Sequence, residues 1–153
     1  MNFDFIDLSF AKGSCIYVPA ELHPCTAGDK VAAYVRLILD TGATSTHFSK
    51  KILVQMGYSD AMFVKDSTQS FSITGKYTAM LCKVRQLAFC GLNFRNHNVK
   101  VWETPAGHHV SGIIGMDILR YFNFSVNMDT QRISIERSQD TETFLRQSAK
   151  RRR

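Results

Sequence analysis

Residues Leu37 to Thr46 read LILDTGATST: three aliphatic residues that fit a buried strand run directly into an aspartate, a threonine and a glycine. At the end of such a strand the Asp40 carboxylate is carried toward the interior, where an unpaired charge is costly unless it is neutralised or hydrogen-bonded. Two uses could justify it. The carboxylate could cap its own turn, as strand-end aspartates often do. Or it could work on water: an ionised carboxylate takes a proton from bound water while a second, protonated carboxyl polarises the carbonyl under attack. One carboxylate cannot do both, and two like charges at hydrogen-bonding distance titrate as a unit. The sequence holds Asp-Thr-Gly once. Its nearest echo, MDTQ at Met128 to Gln131, lacks the glycine, which excludes a two-lobed chain built on an internal repeat. The second carboxyl would then come from another copy across a two-fold axis.

Other chemistries find little support. Cys15, Cys25, Cys82 and Cys90 are too widely spaced for structural zinc or a thioredoxin-type redox pair, and read as free thiols in a reducing compartment. The five histidines are scattered or, at His108 and His109, adjacent, so no metal site is expected. Of the net charge of +6, four units fall in residues 137–153, where Arg137, Arg146, Lys150, Arg151, Arg152 and Arg153 face only Asp140 and Glu142. The basicity is a tail property: a frayed, solvated terminus first, a polyanion-binding or targeting tail second. Nucleic acid is not the expected partner. Asp4 and Asp7 interrupt the apolar N-terminus, no basic segment precedes it, and no run approaches a membrane span, so a cytoplasmic protein is expected.

The elements that must position Asp40 can be traced by period. With 153 residues, 44% of them hydrophobic, the chain can bury one core. NFDFIDLSF alternates at period two, SCIYVPAEL follows with Pro19 marking an edge, HPCTAGDK turns, and VAAYVRLIL is the strand that ends on Asp40. HFSKKILVQMGY switches to helical period, with Phe48, Ile52, Leu53 and Met56 on one face, Ser49 as N-cap and Gly57 beyond the end. A hairpin is expected with its tip near Thr74, Gly75 and Lys76, then two strands pivoting about Gly91, then a loop over ETPAGHHVSG. GIIGMDILRYF becomes helical from Asp117, its expected N-cap, and two strands flank a turn at Met128 to Gln131. The fold class is all-β with two short helices, a closed or partly closed barrel, because no strand–helix–strand rhythm repeats. The division expected is an arm at 1–13, a domain at 14–136 and a disordered basic tail at 137–153.

The motifs LDTGA and GIIGMDILRYFNFSVNMDTQRISI, with a glycine-tipped hairpin between them, resemble the retropepsin-like aspartic proteases. The likeness is nearer to bacterial and cellular members, including the DNA-damage-inducible proteins, than to viral ones. The resemblance implies a single-lobe, barrel-like subunit and a homodimeric endopeptidase acting on extended polypeptides without metal or cofactor. It implies Asp40, Thr41 and Gly42 as the catalytic group, with Thr41 donating across the dimer axis and Gly42 allowing close approach. It implies Ala43, Ile73, Thr74, Gly75, Lys76, Ile113 and Ile114 at the substrate. Among these, Ile73 to Lys76 would form the flap, and Ile113, Ile114 and Gly115 would thread beneath the Asp-Thr-Gly loop. Two departures stand out: Met116 and Asp117 replace the arginine that braces viral dimers, and SITGKY is poorer in glycine than viral flaps. The alternative is a non-catalytic dimeric peptide-binding module of the same fold. Lys76 could be only a solvated turn residue, Trp102 reads as core or rim packing, and the first strand could serve a dimer sheet, a swapped arm or a segment trimmed in maturation.

Overall fold

Period-two alternation carries the chain through the first two strands, β1 (Asn2–Ile6) and β2 (Tyr17–Leu22), and into β3 (Ala33–Leu39), whose inward residues Val35 and Leu37 are buried. The computed structural model describes residues 2–6, 15–28, 31–67, 70–72, 75–103 and 110–150. There follow β4 (His47–Ser49), α1 (Lys50–Gln55), a 3-10 turn at Asp60–Met62, β5 (Phe63–Lys65), β6 (Ser70–Ser72) and β7 (Gly75–Tyr77). The longest pair, β8 (Met80–Phe89) and β9 (Leu92–Trp102), is joined by a tight turn at Cys90 and Gly91, both at positive φ. The chain ends through β10 (Gly112–Ile114), α2 (Met116–Leu119), β11 (Phe122–Asn127), β12 (Arg132–Arg137) and α3 (Gln139–Lys150).

Six strands close into a barrel in the order β2, β3, β10, β4, β9, β8, and β8 returns to β2. Closure is narrow. Glu21 and Leu22 alone on β2 pair with β8, while β2 pairs with β3 along its whole length. Pro19 sits where the seam is open, the tolerated place for a residue with no N–H. Two neighbouring pairs run parallel, β10 with β3 and β4 with β9, and the first includes the strand that leads to Asp40. The barrel interior is filled by Leu22, Leu37, Phe48, Val84, Leu87, Val99 and Ile114. The expected barrel with mainly β content is what the chain forms.

Three expectations need correction. Phe48, assigned to the helical face, lies in β4: Ser49 caps α1 by accepting from the Ile52 N–H at 3.3 Å, so Phe48 precedes the helix and enters the barrel. Gly75 and Lys76, expected at the hairpin tip, stand in strand β7, with Gly75 opposite Ser72; Ile73 and Thr74 lie outside the described residues. The segment expected as a disordered tail is helical over Gln139–Lys150. Its Phe144 ring packs on Tyr121 and Phe94, centroids 4.8 and 5.0 Å away, and the buried Thr141 hydroxyl donates to the Tyr121 carbonyl. Those contacts supply what composition alone could not. No helix among the described residues is long and apolar enough to cross a membrane.

β1, β12 and β11 make a separate three-stranded antiparallel sheet backed by the buried Ile133 and Ile135.

Candidate active site

β3 and β10 run side by side to the same end of the barrel, Leu39 opposite Ile114. There the Asp40 N–H donates to the Ile114 carbonyl at 3.2 Å, the last rung before the chain turns. The turn closes on the aspartate: the Ala43 N–H donates to the Asp40 carbonyl at 3.3 Å and the Gly42 N–H to Oδ1 at 2.8 Å. The turn-capping use of Asp40 is therefore realised. It also aims the carboxylate, because one oxygen is fixed by backbone while the half-buried group stays accessible. No cation among the described residues pairs with it. Thr41 and Gly42 are exposed and Ala43 is half-buried.

The loop from Asp40 to Thr46 is laced to residues 114–117. The Met116 N–H donates to Ala43 at 2.8 Å and the Asp117 N–H to Thr44 at 3.2 Å. Gly115 precedes them, and a Cβ there would stand 2.5 Å from the Ser45 carbonyl oxygen and 2.9 Å from that of Ala43, so only glycine fits. Thr46 is wholly buried, and its hydroxyl accepts from the Gly115 N–H at 3.2 Å while donating to Asp117 Oδ1 at 2.7 Å. The Thr46 N–H donates to Asp117 Oδ2 at 3.0 Å, and His97 Nε2 lies 2.9 Å from the same oxygen.

Asp117 is thus not the N-cap of α2, which is Gly115; it belongs to the first turn and braces the loop across 71 residues of chain. Burial by itself would raise its carboxyl, but the His97 ring and the two Thr46 donors outweigh that and hold it below the ordinary carboxylate value. An ionised carboxylate with these donors is committed to structure, so it is no second acid for Asp40. Among the described residues no cluster of three or more His, Cys, Asp or Glu could hold a metal.

Of the other sequence-derived residues, Ile114 is fully buried in the barrel, and Ile113 keeps accessible surface beside Asp40's strand. Gly75 and Lys76 stand on the separate β6–β7 ribbon. Sequence reasoning missed Thr46, His47 and His97. His47 faces Ile113 across the β4–β10 pair, its Nδ1 buried with no hydrogen-bond partner among the described residues, and burial followed by the Lys100 charge depresses its pKa. His97 escaped because β9 changes phase: Leu92 and Phe94 point inward, yet so does Val99, with Asn96 at φ 51° between them. No motif or periodic pattern in the sequence marked Thr46.

Comparison with known proteins places these features together. The sequence profile described as "gag-polyprotein putative aspartyl protease" matches residues 31–121, which include the Asp40 loop, β10 and α2. No curated protein matches the sequence. Among solved structures, a retropepsin-like aspartic protease from Rickettsia conorii superposes with a TM-score of 0.61 at 14% identity, covering 88% of this chain and 89% of that one. The EIAV protease in complex with the inhibitor HBY-793 superposes at 0.50 and 16% identity, over 70% and 86% of the two chains. The retroviral protease-like domain of Ddi1 from Leishmania major gives 0.47 and 17%, over 76% and 83%. At these identities the likeness to the first two speaks for the fold alone.

Proposed function

The chain belongs to the gag-polyprotein aspartyl protease family of retropepsin-like proteins, and from that premise we propose that it is an endopeptidase whose active site forms between two copies. The observation that carries this is a single accessible carboxylate at Asp40, aimed by the Gly42 N–H, on a loop whose other nearby acid, Asp117, is already occupied. Each protomer supplies one Asp40 across a two-fold axis, and the pair shares one proton. The ionised carboxylate takes a proton from water, and the protonated one donates to the carbonyl oxygen as the tetrahedral centre forms. A proton then passes to the departing nitrogen. Exposed Thr41 and Gly42 suit a place at the axis, with the Thr41 hydroxyl donating to the partner loop. An extended peptide lies between a floor of Ala43 and Ile113, resting on buried Ile114, and a flap at 73–76. The catalytic unit is taken as residues 14–136, preceded by an arm.

Mixing wild type with Asp40→Asn tests the shared site. At equal amounts and a concentration that keeps dimers formed, random pairing leaves about one quarter of the dimers with both aspartates. Activity should therefore fall to about a quarter of the unmixed enzyme at the same total concentration. A fall to only one half would mean that each chain works alone, and full cleavage by pure Asp40→Asn would refute the assignment. Stoichiometric peptide binding without product, over long incubation, would point to a non-catalytic module instead.

A further inference from the structure

Beyond Thr46 the brace continues to a residue far from every motif. We infer that His97 is a positioning residue for the Asp40 loop, acting through Asp117; this rests on the reading of Asp40 as catalytic.

Asp117 offers only lone pairs when ionised, so the His97 Nε2 that meets Oδ2 at 2.9 Å must carry the proton and donate. Oδ2 then has two donors, His97 and the Thr46 N–H, and Oδ1 has the Thr46 hydroxyl. The Asp117 and His97 side chains each retain 22% of their accessible surface, so without His97 one carboxylate oxygen would open to solvent. The carboxylate could then rotate away from Thr46. Through the Thr46 hydroxyl any such rotation reaches the Gly115 N–H, and Met116 in turn grips the Ala43 carbonyl three residues from Asp40. A loop that must hold two carboxylates in register has little tolerance for that movement.

The imidazole also packs against an aromatic side chain. The ring meets Phe94 edge-on, centroids 5.9 Å apart at 64°, and Phe94 packs against Tyr121 and Phe144 at 5.7 and 5.0 Å. Phe144 belongs to α3, outside residues 31–121 that match the family profile. The C-terminal helix therefore supports the active loop through an aromatic stack ending in one histidine. This gives α3 a function in the site without contact with substrate.

The test uses the 153-residue chain with His97→Leu and His97→Gln, the glutamine amide being able to place a donor near the Nε2 position. Amide hydrogen exchange is followed at Thr46, Gly115 and the β2–β3 ladder, and steady-state cleavage is measured on a peptide that the wild type cuts. For His97→Leu, exchange at Thr46 and Gly115 should rise about tenfold or more while the β2–β3 ladder stays protected. Its kcat should drop about tenfold with KM changed by less than about twofold. His97→Gln should recover both to within about threefold. Unchanged exchange at Thr46 and Gly115, a glutamine variant as impaired as leucine, or equal loss of protection in the β2–β3 ladder would each overturn the assignment. If the wild type shows no Asp40-dependent cleavage, the catalytic reading fails while the exchange measurement still decides the brace.

Discussion

Replacing Thr46 by valine keeps the β-branched shape and volume at a fully buried position and removes one oxygen. That oxygen makes two bonds, donating to the Asp117 carboxylate at 2.7 Å and accepting from the Gly115 N–H at 3.2 Å. A hydrogen bond to a charged group contributes about 1.5–3 kcal/mol, and a buried N–H left without a partner costs about 1–3 kcal/mol. The two overlap, because Asp117 keeps the Thr46 N–H and His97, so a loss of about 2–4 kcal/mol is expected. The effect should depend on pH with a definite sign. The folded pKa of Asp117 is depressed below the ordinary 3.8, so its bonds stabilise fully above that value and are lost as pH falls through the folded value. The gap between wild type and Thr46→Val should therefore be widest near neutrality and narrow on acidification below about pH 4. Urea unfolding followed by circular dichroism, at one fixed protein concentration because association would couple to folding, measures both quantities. A difference under about 1 kcal/mol at pH 7, or one unchanged on acidification through the carboxylate range, would refute the reasoning.

Gly115→Ala places a methyl 2.5 Å from a backbone oxygen that cannot swing aside, so the loop must shift; peptide cleavage should fall by about 100-fold or more, measured as kcat/KM. Phe144→Ala removes ring contacts to Phe94 and Tyr121 from a half-buried position, and urea titration should register a loss of about 2 kcal/mol, below the range for a fully buried ring. Burial pushes the Cys82 thiol up to about 11 and the Cys90 thiol to about 12, so at pH 8 a disulfide reagent should modify exposed Cys15 first and reach those two only on unfolding. Rapid native-state reaction at all four cysteines would contradict that burial.

Much of this molecule follows from local sequence. Alternation marks β2, β3, β11 and β12 because a strand with one buried face must repeat every second residue, whereas β8 and β9 each change phase part-way. The serine before α1 and the glycine after it mark a helix through capping chemistry that needs no tertiary partner. Short pieces were harder. β4 has three residues, too few for a period to show, and its place between β10 and β9 is fixed only by the closed barrel. α3 has a polar, charged composition, and its one half-buried aromatic gains meaning only beside Phe94 and Tyr121.

The sequence by itself determined the chemistry available: one Asp-Thr-Gly, hence one aspartate of that motif per chain, at the end of a hydrophobic strand. Composition and strand order sufficed because residue type fixes what a group can donate, accept or ionise. Tertiary structure alone decided which groups hold that carboxylate's loop in place. Thr46, His97 and Asp117 meet across separations of 20 to 71 residues, and the phase change at Asn96 that turns His97 toward Asp117 leaves no periodic trace. Hydrogen bonds act over about 3 Å, so a partnership between distant segments exists only once the barrel has brought them together.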